Sequence, residues 1–392
     1  MSRILGIFDG THNSGAAIIE DGVIVAACDT ERFTRQKGAG GFPTEAIHGC
    51  LQLAKLSLSQ IDKVAFAGWI NPNPFLRLNR TIQKNWQLDS DKFYAPTAWF
   101  SNWVQFNSPF PYLQPKEGSL WRLSEKILKL IMRRQLRSQL QWNIANIDLH
   151  EHHHAHAATA HFGSGFKESL TVVADGIGDG LAFSIWLGNE TSLQKCFELP
   201  YPHSLGLLYA SFTGFLGFKP FRHEGKLTGM AALGNPENIP IPFPFIGDFP
   251  NRRFTEQFPL YKWLESFEEY TPEDICAWLQ RGVENEVLGI LSWHIQQLGS
   301  RPIALAGGLF ANVALNGRIS EEINPSELFV FPNMGDGGLS VGAAYLSFSE
   351  EGVRPPGIDN MMVGSAIENT ETAIEEFAKR HNLHATQITA EE

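Results

Sequence analysis

Two stretches decide how this chain is read: RILGIFDGTHNSGAAIIE at residues 3–20 and LTVVADGIGDGLAFSIW at residues 170–186. Each is an apolar strand ending in an Asp-Gly pair, Asp9-Gly10 and Asp175-Gly176, then a bend of small residues and a second apolar strand. That order predicts a hairpin at both places, because glycine and short polar side chains tolerate the backbone of a tight reversal. The likeness is one of pattern more than identity. It implies an α/β fold built twice, with halves at about 1–145 and 146–350 facing each other across a cleft.

Outward from the first hairpin, Asp21-Gly22 marks another turn before the strand VIVAACDTE. Pro43 and Thr44 open a segment that places Ile47, Cys50, Leu51 and Ala54 on one helical stripe, and KVAFAG at 63–68 reads as a buried strand. Residues 69–118 are rich in Asn, Pro and aromatics without a sustained period, which predicts an irregular insertion acting as a lid or specificity element. A basic amphipathic helix follows at 120–140, its cations read as a solvated face. Beyond the second hairpin, residues 302–319 and 328–348 each read as strand, glycine-rich loop and helix, the geometry that turns backbone N–H groups toward a phosphate or ribose. GVRPPGIDN, from residue 352, reads as a linker, and SAIENTETAIEEFAKRHNL as one capped amphipathic helix. With no evident finishing element after it, a further C-terminal domain is expected to be lost or to lie on another chain.

The chain has 392 residues, with 42 acidic against 31 basic side chains and a formal net charge of −11. A phosphate backbone needs a cationic footprint, so nucleic acid is not expected as the main partner. Apolar residues make up 43%, enough for sizeable cores. Cys28, Cys50, Cys196 and Cys276 are too scattered for a CxxC site and read as reduced, buried thiols. Asp9 interrupts the N-terminus before any long apolar run, and the most apolar stretch, IPIPFPFI at 239–246, is broken by prolines. A soluble, cytoplasmic protein is expected.

The strongest chemical signal is EHHHAHAATA, with His152, His153, His154 and His156 in five positions. Residues four apart share a helix face, so His152 and His156 can present imidazoles to one metal ion. Candidate further ligands are Asp175, at a strand end, and Asp336, in MGDGG. Two histidines with carboxylates and an open position suit Fe(II), Mn(II) or Zn(II) as a Lewis acid. His12, on the first bend, is either a structural imidazole or a general base aimed at the cleft. Arg32, Arg35 and Lys37 precede Gly38, Gly40 and Gly41, which fits a phosphate clamp or a solvated loop equally. The glycines of 204–234, Gly206 among them, mark close backbone approaches, and Glu224 and Lys226 read as a pair facing a ligand or an ordinary salt bridge.

Six ordered motifs, EHHHAHAATA, DGIGDG, SLGLLYASFTGFLGF, EGKLTGMAALG, AGGLFANVALNGRI and PNMGDGGLSVGAAY, resemble the O-carbamoyltransferases of the nodulation, cephamycin and tobramycin type over about residues 3–350. The resemblance implies a duplicated actin/sugar-kinase-like catalytic domain, related to the tRNA threonylcarbamoyl transferases. It implies a nucleotide and a divalent metal in the central cleft, Fe(II) first, with Zn or Mn as alternatives. Carried over motif by motif, His152, His156, Asp175 and Asp336 match the metal ligands and His12 the histidine near the acceptor, while Lys37, Gly206 and Asn312 match nucleotide-holding positions. Two departures stand out: the usual His-Asp pair at the first bend is His12-Asn13 here, and His154 stands at a usual leucine.

The resemblance further implies transfer of a carbamoyl group from carbamoyl adenylate, made from carbamoyl phosphate and ATP, to a hydroxyl of a small acceptor: a sugar, an antibiotic or a nodulation oligosaccharide. Residues 351–392 resemble only a linker and the start of the adenylate-forming domain, so the chain is expected to hold the transfer site but not the activation site, and not to make carbamoyl adenylate alone. The alternatives are a catalytically incomplete ATP-binding subunit and a threonylcarbamoyl transferase acting on tRNA, the latter disfavoured by the net charge.

Overall fold

A computed structural model describes residues 1–69, 119–256, 260–361, 363, 364, 370–384 and 386. Residues 70–118 of the expected insertion lie outside the described residues.

The strands are β1 (Arg3–Phe8), β2 (Gly15–Glu20), β3 (Val23–Asp29), β4 (Lys63–Ala67), β5 (Ile147–His150), β6 (Ser169–Gly178), β7 (Leu181–Asn189), β8 (Ser192–Pro200), β9 (Phe245–Ile246), β10 (Arg253–Phe254), β11 (Ile303–Ala306) and β12 (Leu328–Val330). They form two five-stranded sheets, β3-β2-β1-β4-β5 and β8-β7-β6-β11-β12, and a small β9-β10 pair. In the first sheet β1, β2 and β3 run antiparallel while β4 and β5 add in parallel. The second repeats this, with β6, β7 and β8 antiparallel and β11 and β12 parallel. Identical order and sense in both sheets make this the duplicated actin/sugar-kinase-like α/β fold.

The strand sequences follow from their positions. β1 is buried at every residue but Arg3, as a central strand covered on both faces requires. β8 lies at a sheet edge and alternates exposed with half-buried residues along most of its length. The β2–β3 turn holds Asp21 and Gly22 at φ 49° and 88°, the double left-handed geometry that an Asp-Gly hairpin supplies cheaply.

Five layers result. Ile47, Cys50 and Leu51 of the helix Thr44–Ala54, with Met132 and Leu136 of the helix Ser119–Leu140, cover Leu5, Ile7, Val64 and Phe66 on the outer face of the first sheet. Its inner face, with Ile4, Phe8, Ala17 and Ala65, packs on two central helices, His152–Ser164 and Leu339–Glu350. The second sheet closes on the first of these through Ala157 against Val173 and Ala160 against Ala304 and Ala306. Its far face, with Val172, Ile185 and Leu305, packs on the helices Leu205–Phe215 and Pro272–Leu298. Close approach depends on absent side chains: a methyl on Gly6 would fall 1.8 Å from the Ser340 carbonyl oxygen, and one on Gly342 2.0 Å from that of Ala155.

Two expectations are corrected. The glycines of GIGDG do not form a free loop, because β6 runs on through Gly178 past an irregularity after Ala174 and turns only at Asp179-Gly180. Only Cys50 and Cys276 are buried; Cys28 is half-buried and Cys196 exposed, the latter on the outward side of an edge strand. The amphipathic helix expected in the tail is present from Thr370 to Arg380, with Ile374 and Phe377 exposed, and residues 365–369 of that stretch lie outside the described residues. Among the described residues no helix is long and apolar enough to cross a membrane.

Candidate metal centre

The histidine-rich helix begins at His152, where the free backbone N–H groups of a first turn need acceptors. The Asp179 carboxylate, from the β6–β7 turn, accepts from the His152 N–H at 2.9 Å and from the Trp69 N–H at 2.9 Å. Glu151, just before the helix, is held by Lys195 at 2.9 Å.

Each histidine of the run has its own task. His153 Nδ1 is hydrogen-bonded to the Ser184 hydroxyl at 2.9 Å, which itself accepts from the Trp186 indole N–H at 2.8 Å. His154 stacks on the Trp186 ring, centroids 4.7 Å apart and planes within 3°. Burial pushes the His153 pKa well below its ordinary range and that of His154 down to about 3, so both are neutral packing groups. His161 is held between the Ser169 hydroxyl at 2.8 Å and the Asn189 carbonyl at 2.7 Å. The cluster is therefore not a solvated helix start.

His152 and His156, both fully buried, share the face that meets two carboxylates. His152 Nε2 lies 3.2 Å from Asp175 Oδ2 and 3.4 Å from Asp336 Oδ1; His156 Nε2 lies 3.9 Å and 3.5 Å from the same atoms. All four donor atoms fall within 4.8 Å of one another. β6 delivers Asp175, which also accepts from the Gly308 N–H at 3.2 Å. Asp336 opens the short turn before the helix Leu339–Glu350, whose packing on the first sheet brings it here. Gly178 makes room, since a methyl there would lie 2.1 Å from His152 Cδ2.

The donor set fits a divalent ion. Among the described residues His156 Nε2 is buried without a hydrogen-bond partner while aimed between two carboxylates, and a cation is what such an orphan acceptor needs. Neither ring has a partner at Nδ1 among the described residues, so their tautomers are set from the carboxylate side. Burial works against charge on His152, yet Asp336 and Asp175 hold its pKa well above the usual value. Burial also opposes ionised carboxylates, but the neighbouring imidazoles keep Asp175 and Asp336 below the usual range. The field at this point favours positive charge, whether proton or metal ion.

His12 lies on the β1–β2 bend, with Gly38 beneath its ring and Phe221 beside it, ring centroids 5.8 Å apart. Burial lowers its pKa, against the pull of Asp336 and Asp175, so the neutral ring persists below the usual range. The bend is laced to the segment after β3 by Ser14 Oγ to Thr30 Oγ1 at 2.7 Å and the Gly41 N–H to the Gly10 carbonyl at 2.8 Å. Lys37 is not brought to the cluster: its side chain is 78% exposed, 4.0 Å from Glu31. Gly206 sits at the start of the helix Leu205–Phe215, where a methyl would fall 2.9 Å from the Asp175 carbonyl oxygen. Asn312 caps the helix Val313–Arg318 by accepting from the Leu315 N–H, and donates to Gln280 at 2.8 Å. Glu224 and Lys226 do not form the expected pair; Glu224 accepts from the Phe221 N–H and Lys226 lies over the Phe218 ring.

Sequence reasoning missed Asp179, Gly178 and Ser184. The only signal for Asp179 was a second Asp-Gly in DGIGDG, and Ser184 carried none.

The profile described as carbamoyltransferase N-terminus matches residues 3–243 and 249–345, which include all four cluster residues. The uncharacterized protein sll1178 of Synechocystis is 31% identical, over 94% of this chain and 60% of that protein. The nodulation protein NolNO of Sinorhizobium fredii is 26% identical, over 88% of this chain and 47% of its own length. Among solved structures, T. kodakarensis HypF is similar with a TM-score of 0.48 at 13% identity, over 90% of this chain and 48% of that one. The chain thus spans less than two thirds of these curated relatives. A match running through both sheets and every residue of the cluster places one conclusion beyond the fold: the chain belongs to the carbamoyltransferase family.

Proposed function

We propose that this chain carries out metal-assisted transfer of a carbamoyl group from carbamoyl adenylate to a hydroxyl of a small acceptor. The reading is supported above all by His156 Nε2, buried and unpartnered between two carboxylates, within a chain of this family. His152, His156, Asp175 and Asp336 would hold the ion. When bound it supplies Lewis acidity to a carbonyl that nitrogen donation makes a poor electrophile.

The remaining work falls to this chain's own groups. His12 takes the acceptor proton as the acceptor oxygen bonds to the carbamoyl carbon, and the bond from that carbon to the adenylate oxygen breaks, releasing AMP. A lowered His12 pKa serves a base, because the ring is unprotonated when the acceptor arrives. The start of the helix Leu205–Phe215, held beside Asp175 because Gly206 has no side chain to clash with the Asp175 backbone, offers N–H groups to the phosphate, with Asn312 and Lys37 serving the nucleotide. Lys37 would have to swing from its exposed position to do so.

Metal analysis of the purified chain, with supplied carbamoyl adenylate as donor, tests the reading. His152→Ala and His156→Ala should each lose bound metal and transfer together, and metal affinity should fall on acidification as the imidazoles take up protons. A variant that holds no metal and transfers at the normal rate would sink the proposal.

A further inference from the structure

Phe221 has a conformation and place that packing does not account for. It sits at φ 60°, in the left-handed region that a bulky side chain rarely adopts. The surrounding turn enforces it. The Phe221 N–H donates to the Glu224 carboxylate, the His223 N–H to the Lys219 carbonyl at 3.0 Å, and the Lys219 N–H to His223 Nδ1 at 3.1 Å. The strained backbone does not bury the ring, which stays 41% exposed. It points the ring between the halves: one neighbour is His12 on the first bend, and a methyl on Gly176 of the second would lie 3.7 Å from Phe221 Cε1.

From this we infer that Phe221 is the platform on which a ring-shaped acceptor lies, a specificity residue for the hydroxyl substrate. The inference rests on the reading of His12 as the group that takes the acceptor proton. A hydroxyl in hydrogen-bond reach of His12, about 3 Å from a ring nitrogen, carries its carbon framework across the neighbouring Phe221 ring. An exposed aromatic face rewards a flat array of C–H groups, such as one face of a pyranose, and gives little to an open-chain polyol with the same hydroxyls. The chemical class is thus a cyclic polyhydroxylated acceptor.

The test uses the full metal-loaded chain with carbamoyl adenylate, methyl α-D-glucopyranoside as ring probe and glycerol as open-chain probe. Wild type should favour the ring probe, Phe221→Ala should raise its KM about tenfold and that of glycerol far less, and Phe221→Trp should retain the preference. Metal content should be the same in all three. Binding is read separately, by saturation transfer from protein aromatic protons to the C–H groups of methyl α-D-glucopyranoside, strong in wild type and lost in Phe221→Ala. Equal KM values in wild type and Phe221→Ala, or equal saturation transfer, overturn the platform and leave the carbamoyl-transfer reading standing. Saturation transfer without turnover of either probe upholds the platform and counts against that reading.

Discussion

The two opening hairpins occupy the same place in the same sheet topology, and both carry an Asp-Gly pair, yet their aspartates live in opposite surroundings. Asp9 is 1% exposed, and the Gln135 side-chain amide from the outer helix Ser119–Leu140 donates to it at 3.3 Å. Asp175 turns to the central helix and two buried imidazoles. The difference comes from what packs on each sheet. The histidine helix lies against β6, while the helix packed on β1, Leu339–Glu350, brings Asp336 to the same point. The two bends are equivalent in topology, yet one brings Asp175 to the imidazoles while the other offers His12.

The largest effect should come from breaking the ligand side. Asp175→Ala removes a carboxylate that both imidazoles face, so bound metal should fall to background and transfer by about 10³-fold, the scale of losing a preorganised electrostatic group. Metal analysis and the transfer rate with supplied carbamoyl adenylate check it together. His12→Ala, on the other bend, should lower kcat by about 10²-fold to 10³-fold with metal content unchanged. The sign of its pH dependence follows from burial. The folded pKa of His12 is lowered, so the active neutral form persists as pH falls below 6.5 and is lost only through that lower value. With metal kept saturating, a pH profile of kcat/KM should show an acid limb below 6.5 in wild type, and His12→Ala should lack it.

A smaller effect separates two glycines of the second bend. A methyl on Gly178 would meet the His152 ring at 2.1 Å, whereas on Gly176 its nearest neighbours are at 3.7 Å. Gly178→Ala should destabilise by about 1–3 kcal/mol and weaken metal binding, because the ring or the turn must move. Gly176→Ala should be nearly silent in both thermal unfolding and metal titration.

The same bends mark what could be read from the chain alone. Asp-Gly between apolar runs announced both hairpins, and the spacing of His152 and His156 announced a shared helix face, since these are local properties of a few residues. What escaped depends on partners remote in sequence. The packing roles of His153 and His154 depend on Ser184 and Trp186, on β7, which hold them. Asp179 works by accepting backbone N–H groups, which leave no mark in a side-chain pattern. Lys37 sits in a glycine-rich segment that suggested a clamp, yet its side chain faces solvent, because glycines there serve the packing of the His12 bend.

Asp9→Asn is milder than Gly178→Ala and sharpens the comparison most. The substitution keeps the shape and the contact with Gln135 but removes the charge from a site 1% exposed. Charge-assisted hydrogen bonds are worth more than neutral ones, so the loss should be about 1 kcal/mol, a shift of a few degrees in thermal unfolding. Metal stoichiometry should not change, because Asp9 is not among the four residues whose donor atoms converge. The equivalent change on the second bend, Asp175→Asn, keeps shape equally well and should abolish metal binding, since an amide cannot supply the negative charge that the cation and both imidazoles face. Equal metal loss from the two substitutions would mean that the bends are not divided in labour, and that Asp9 reaches the ion through a route that the present geometry does not contain.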